Sequence, residues 1–456
     1  MAWRGISPLG GVKRVNASTR STGSNGLNKS TISQQGTDVL VVGAGVVGLA
    51  TALAARRAGC SVQVLERGQA PFGAVSAPSA RSESGASAPD PAATAGWPAT
   101  SRVYALAPAS VALIKELDAW PADAPWFAPG PVRGMAVYER ASRGQIALSS
   151  AGAAHRSAQV DAQMASIVGH DPLIRALIEA CARAGVPIAW GHTITDVMPA
   201  GDGAQVVTDD GAQWSGRLVC AADGARSTIR GLLGVPIDGA SYGQSAVTAV
   251  LRLSAPHEGV ARQHFREGEV LALLPLADPY EVVLVWSART AHAEALLELA
   301  DPAFLSRLNT ALALPGIEAI SAMQRLSFPL RWLRAERMVC GRVLLLGDAA
   351  HVMHPLAGQG LNLGLGDVAE FVDAVLPALT APGLGRVLGR FERSRKAEAM
   401  LYRGTVDSLF RLFNAGGLRV LRGAGLNLVD HLPPLKRMIV ARASGRRIAS
   451  LEPSNG

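Results

Sequence analysis

Apolar and polar positions follow two different rhythms along this chain. Residues 39–42, Val-Leu-Val-Val, form the short unbroken apolar run expected of a strand buried on both faces. Gly43, Gly45 and Gly48 then open a segment predicted to be a helix ending near Gly59, and Val62, Val64 and Leu65 predict a second strand closed by Glu66. Val343 to Leu346 repeat the buried-strand pattern. From Leu361 the positions Leu365, Val368, Val372, Val375 and Leu379 recur every three or four residues, as on one face of a helix. Between these blocks, the stretches Val247–Leu253, Val270–Leu274 and Val282–Trp286 are short and β-prone, predicting antiparallel strands over a pocket. Leu273, Leu274 and Pro275 are expected either to face that pocket or to be plain sheet core. Beyond residue 386 the rhythm is helical again: Val406, Leu409, Phe410 and Phe413 share one apolar face, and Leu418, Leu421, Leu428, Val429 and Leu432 another. Residues 1–36 and 76–100 show neither period, so a disordered leader and an inserted surface loop are expected there.

A chain of 456 residues, 48% hydrophobic and 18% charged, can bury a large core, and two interlocked domains are expected. No apolar run approaches the roughly 18 residues of a spanning helix, so membrane contact is expected to be peripheral. The net charge of +8 is unevenly spread: residues 1–36 carry five basic and no acidic residues, and residues 386–456 carry fourteen basic against five acidic. The body between them is mildly acidic. No nucleic-acid module is recognisable in the basic flanks, and the tail suits either an anionic membrane surface or the protein's own core. Cys60, Cys181, Cys220 and Cys340 are widely spaced and form no CxxC pair, which reads as buried thiols in a reducing compartment. The expected location is cytoplasmic, with a peripheral seat on the inner membrane as a variant of it. The acid-free, Arg- and Ser-rich leader leaves a mitochondrial transit segment as the lesser alternative.

The chemistry begins at residues 38–66, DVLVVGAGVVGLATALAARRAGCSVQVLE. Gly43 permits a tight turn, Gly45 lets backbone approach a pyrophosphate, and Gly48 lets the helix pack closely on the strand. The helix N-terminus favours the phosphates, and Glu66 is placed to accept ribose hydroxyls. This predicts a bound dinucleotide without choosing between FAD and NAD. No second fingerprint occurs, which argues against a tightly held NAD(P)H with a Rossmann domain of its own. At 347–367, GDAAHVMHPLAGQGLNLGLGD, a carboxylate (Asp348) follows a strand, and Pro355, Gly358 and Gly360 keep side chains clear so that backbone N–H groups can reach the edge of a flat ring. The helix starting at Leu361 would aim its N-terminus at a reduced, anionic ring. His351 and His354 invite a metal, but Pro355 breaks the helix their spacing would need, and no metal is expected.

Residues 218–230, LVCAADGARSTIR, and 347–367 together resemble the paired signatures of single-component FAD monooxygenases, and HPLAGQGLNLG (354–364) is similar nearly letter for letter to the ubiquinone-biosynthesis hydroxylase family. RVYALAPAS (102–110) and QHFREGEVLALLPLADPYEVVLVWS (263–287) extend the resemblance over nearly all of residues 37–447. It implies a p-hydroxybenzoate-hydroxylase-type α/β fold: a Rossmann-like FAD-binding domain, an interleaved β-sheet substrate domain, and C-terminal helices. The expected boundaries are a leader at 1–36; an FAD-binding domain at 37–235 that includes the 76–100 insertion and part of the substrate sheet; a substrate domain at 236–334; a return to the FAD domain at 335–385; and a basic helical tail at 386–456. The implied activity is hydroxylation of a polyprenylated phenol in ubiquinone biosynthesis. The resemblance further implies that FAD is held tightly, that NADPH or NADH docks transiently to reduce it, and that O2 then forms a flavin hydroperoxide that the phenol attacks. The flavin carries the chemistry, so no catalytic side chain is named. The expected cofactor-binding residues are Gly43, Gly45, Gly48, Glu66, Arg67, Arg102, Asp223, Asp348, Pro355, Gly358, Gly360, Leu361 and Asn362, with Ser227 and Arg230 supporting the Asp223 turn. A flavin hydroxylase of another aromatic compound, and a non-catalytic FAD-binding subunit of a quinone-biosynthesis complex, remain as alternatives.

Overall fold

The computed structural model describes residues 36–71, 102–139, 144–149, 163–200, 202–266, 268–353 and 360–414. The first part of the chain runs β1 (Thr37–Val42), α1 (Val46–Arg57), β2 (Val62–Glu66), β3 (Val103–Leu106), α2 (Pro108–Glu116), β4 (Gly130–Val132), β5 (Gly134–Glu139), β6 (Gly144–Ser149), β7 (Ala165–Gly169) and α3 (His170–Arg183). The middle continues as β8 (Ile188–Trp190), β9 (Ile194–Ala200), β10 (Gly203–Thr208), β11 (Gln213–Ala221), α4 (Thr228–Leu232), β12 (Ile237–Leu253), β13 (Val260–Arg266), β14 (Glu269–Pro275) and β15 (Glu281–Arg289). Last come α5 (Thr290–Glu298), α6 (Asp301–Leu312), β16 (Ala319–Ala335), β17 (Val339–Cys340), β18 (Val343–Leu345), β19 (His351–Val352), α7 (Gly360–Glu370) and α8 (Leu384–Asn414).

The first sheet has the order β17-β18-β11-β1-β2-β8, with β9 and β10 branching from β11. Its β18-β11-β1-β2-β8 pairings are all parallel. β1 lies in the middle, which is why Val39 to Val42 need no polar face: all four are buried. Helix α1 covers the sheet with Leu49, Ala50, Ala52, Leu53, Ala54 and Ala55, and the alanines let it approach the strands closely. The second sheet runs β19-β16-β12-β15-β14-β13-β5-β6, antiparallel except where β13 meets β5. One face packs on α5 and α6 through Leu251, Leu271, Leu273, Trp286 and Phe304. The other packs on the small sheet β3-β7-β4 through Val250, Val283, Leu274, Ala105 and Ile167.

Two sequence expectations need correction. Leu273 and Leu274 do not face the same way. Successive strand residues point to opposite sides, so Leu273 enters the α5/α6 core while Leu274 turns toward the small sheet β3-β7-β4. The helix starting after the glycine loop is also less regular than its period suggests. α7 ends at Glu370, residues Phe371–Val375 widen into a π-helical turn, and Leu376–Ala378 tighten into a 3-10 turn, although Leu365, Val368, Val375 and Leu379 are all buried as expected. All four cysteines are free; Cys181 and Cys220 are buried, Cys60 and Cys340 half-buried. Among the described residues no helix is long and apolar enough to cross a membrane. The leader, the 76–100 insertion and the apolar face at 418–432 lie outside the described residues.

Candidate flavin site

Three chain segments meet where β1, β11 and β18 end. The β1–α1 turn is held by backbone: Gly43 N–H donates to the Leu65 carbonyl at 2.8 Å, and Ala222 N–H to the Val42 carbonyl at 2.8 Å. Gly43 has φ +107°, and a Cβ there would sit 2.4 Å from the Ala222 oxygen; at Gly48 it would sit 1.9 Å from the Gly43 oxygen. Neither site tolerates a side chain. A Cβ at Gly45 would meet nothing within 4 Å, so this edge of the turn is open. Gly45 caps α1 without any side-chain hydrogen bond, and the first turn contains no acid. Its N–H groups therefore remain available to an anion. The Glu66 carboxylate accepts from Ala44 N–H at 2.7 Å and Gly68 N–H at 2.8 Å, bracing the turn with lone pairs to spare. Arg67, the next residue, is exposed.

Asp223 follows β11 and lies against Gly43, whose Cβ would be 3.0 Å from the Asp223 Cα. Its Oδ2 accepts from Ile229 N–H at 3.1 Å. Its Oδ1 is buried and has no hydrogen-bond partner among the described residues. A buried carboxylate oxygen left unsatisfied is costly in a bare chain and marks where a donor from outside belongs. Ser227 Oγ accepts from Arg230 N–H at 2.9 Å and caps α4. The Arg230 guanidinium donates to the Ala225 carbonyl at 2.9 Å and the Ala349 carbonyl at 2.8 Å, tying the Asp223 turn to the Asp348 loop.

Asp348 follows β18. Burial holds its carboxyl above the usual range, opposed by Arg102 and His351 and reinforced by Asp367. Arg102 lies on the same side, its guanidinium 5.4 Å from the centre of the Tyr104 ring. The Tyr104 hydroxyl is 2.8 Å from His170 Nδ1, and burial pushes it up to about 12. Burial and the charge of Arg102 lower His170. Gly360 and Leu361 open α7. Asn362 stands at its first turn, but its amide serves the chain itself: Oδ1 accepts from Ala107 N–H and Nδ2 donates to the Ala105 carbonyl, both at 2.8 Å. It is a strut between α7 and β3. Pro355, Gly358 and His354 lie outside the described residues. His351 makes its Nε2 contact with Asp367.

Tyr104, His170, Asp367 and Arg395 escaped the sequence reading. Asp367 did leave a signal: it interrupts the apolar face formed by Leu363, Gly364 and Val368. Arg395 left none, because its partner is 28 residues away.

The residues present fit a dinucleotide with a flat ring system. There is an uncapped helix N-terminus beside an open glycine edge, an unsatisfied Asp223 oxygen, and carboxylates at the ends of β2 and β18. Comparison with known proteins agrees. The NAD(P)-binding Rossmann-like domain matches residues 41–98. The chain is 29% identical over 259 residues to "Ubiquinone hydroxylase UbiL" of Rhodospirillum rubrum, a match covering 55% of this chain and 60% of that one. It is 29% identical over 398 residues to "Ubiquinone biosynthesis monooxygenase COQ6, mitochondrial" of Danio rerio, covering 76% and 80%. The fold superimposes on p-nitrophenol 4-monooxygenase PnpA from Pseudomonas putida with a TM-score of 0.67 at 20% identity, over 91% of this chain and 99% of that one. The FAD binding domain matches residues 128–402, more than half of the chain, and the protein belongs to that family.

Proposed function

We propose that this protein is an FAD-dependent monooxygenase that hydroxylates the ring of a polyprenylated phenol on the route to ubiquinone, using NADPH or NADH as a transient reductant and O2. The observation that carries the proposal is the meeting of the Gly43, Asp223 and Asp348 turns at the ends of three neighbouring parallel strands, where open-sheet proteins bind their ligands. The names of two relatives supply the substrate class.

In this reading the N–H groups at the start of α1 take the pyrophosphate, Glu66 takes the adenosine ribose, and Asp348 takes hydroxyls of the flavin side chain. Asp223 Oδ1 accepts a hydrogen bond from the cofactor or the incoming nicotinamide nucleotide. Gly360 and Leu361 present the N-terminus of α7 to the ring edge, where its dipole favours negative charge. Arg102 adds a positive charge on the same side, and Pro355 and Gly358 are proposed, from the sequence, for cofactor binding as well. When bound, FAD supplies the redox chemistry that delivers one atom of O2 to the phenol. The protein's part is to orient the rings and keep water out. The proposed location is the cytoplasm, with a peripheral seat at the inner membrane; sedimentation with anionic liposomes tests that seat.

Purified protein supplied with FAD should oxidise NAD(P)H faster when a prenylated phenol is added, and should yield the ring-hydroxylated product by mass spectrometry. Stimulation by simple phenols without turnover of prenylated ones would move the assignment to another aromatic substrate. FAD binding with no NAD(P)H oxidation under any phenol would indicate a non-catalytic subunit.

A further inference from the structure

Three charged or titratable residues beside the site are more deeply buried than any assigned above: Asp367, Arg395 and His351 are 0, 1 and 3% exposed. Asp367 projects from α7. Its Oδ2 accepts from Gly347 N–H and from His351 Nε2–H, both at 2.8 Å, and its Oδ1 accepts from Arg395 Nε at 2.7 Å. Arg395, on α8, also donates to the Leu363 carbonyl at 3.0 Å and to Glu398, and stands 3.7 Å from the Glu370 carboxylate. The fit is tight: a Cβ at Gly364 would be 3.2 Å from the Gly347 Cα, and one at Gly366 would be 2.9 Å from Arg395 Nη2.

The network fastens both ends of one short turn. Gly347 precedes Asp348, His351 follows it by three residues, and both are bonded to the same carboxylate. Taking such charges out of water costs several kcal/mol per ion, and apolar residues of equal volume would hold two helices together as well. Apolar contacts, however, leave a turn free to slide, whereas three directional bonds to one carboxylate do not. Burial alone would raise the Asp367 carboxyl, but His351 and Arg395 hold it below the usual range, so it stays ionised and acts as an acceptor only.

We propose that Asp367 is a positioning residue of the flavin site: through Gly347 and His351 it holds the Asp348 carboxylate and the start of α7 in one fixed relation, so that both meet the same cofactor. This rests on the FAD reading given above. The test is reconstitution of the full-length apoprotein with FAD, followed by flavin fluorescence quenching, the visible flavin spectrum and the two-electron midpoint potential. His351→Leu should weaken FAD binding about 10- to 100-fold and shift the spectrum and potential, since displacements near 1 Å have effects of this size in oriented sites. His351→Gln, which keeps an N–H at the same reach, should restore most of the loss. Asp367→Asn takes from Arg395 its fully buried counter-charge and leaves only Glu370 and Glu398 beside it, so the charge-balanced pair Asp367→Asn with Arg395→Met, which keeps the net charge, is measured beside it and should remain impaired after folding. Wild-type affinity, spectrum and potential in both His351→Leu and the charge-balanced pair would overturn the inference, reducing the network to packing. Wild-type FAD affinity in Asp348→Asn would instead overturn the site assignment beneath it.

Discussion

Gly48 shows how little room the dinucleotide turn allows. A methyl group there would lie 1.9 Å from the Gly43 carbonyl oxygen, which belongs to backbone and cannot swing aside. Gly48→Ala should therefore force α1 away from β1, costing about 1–3 kcal/mol and most of the bound FAD; thermal melts and flavin absorbance after gel filtration check both. Asp223 is a different case. Its Oδ2 holds the Ile229 N–H and its Oδ1 has no hydrogen-bond partner among the described residues. Asp223→Ala should cost the fold about 1–2 kcal/mol through the lost Ile229 bond, yet weaken FAD or nicotinamide binding more than it lowers the melting temperature. Comparing dissociation constants with melting temperatures separates the two effects.

Among the elements, the pairing of β13 with β5 gives a sensitivity to acid. His264 on β13 stacks on Tyr138 of β5 with ring centres 4.6 Å apart, and burial, aided by Arg262 and Arg266, lowers it to about 4. A histidine lowered in the folded state stays neutral there while the unfolded chain takes up the proton first. Stability is therefore kept above the unfolded value of about 6.5 and lost as the pH falls from there toward 4, by on the order of 3 kcal/mol. His264→Phe keeps the stack without the proton, so its melting temperature should fall less steeply across that range in a pH series.

Elements also explain what the sequence could reveal. β1, α1 and β2 were readable because Gly43, Gly45, Gly48 and Glu66 meet within a few turns of chain, and local pattern records local contact. Asp348 was singled out from its place after a buried strand, whereas Asp223 came only from the family resemblance. The π-helical turn at Phe371–Val375 was not, since the hydrophobic period continues through it undisturbed. Nor was the strut role of Asn362, whose partners Ala105 and Ala107 lie more than 250 residues earlier. Which face Leu273 and Leu274 each take was not legible, because their segment is apolar on both faces and no alternation distinguished them; both belong to the sheet core, one of the two readings the sequence left open.

At the scale of the whole molecule, the first sheet is assembled from three distant parts of the chain: β1 and β2 near residues 37–66, β8 and β11 near 188–221, and β17 and β18 at 339–345. The long β12 and β16, paired from Ile237–Ala335 to Leu253–Ala319, carry the chain out to the second sheet and back. A protein built this way should unfold as one unit. Urea transitions followed by tryptophan fluorescence and by flavin release should coincide, and separated midpoints would show that the two sheets hold independently.

The same interleaving sets a timetable during synthesis. β18 must wait for residue 345, the Asp348 turn for Asp367 on α7, and the bond that holds Asp367 in place for Arg395 on α8. A ribosome that has released only the amino-terminal Rossmann unit holds a turn able to greet phosphate but no completed cradle for the flavin. Cofactor capture therefore waits for α8, and nascent fragments halted before residue 395 should leave FAD in solution.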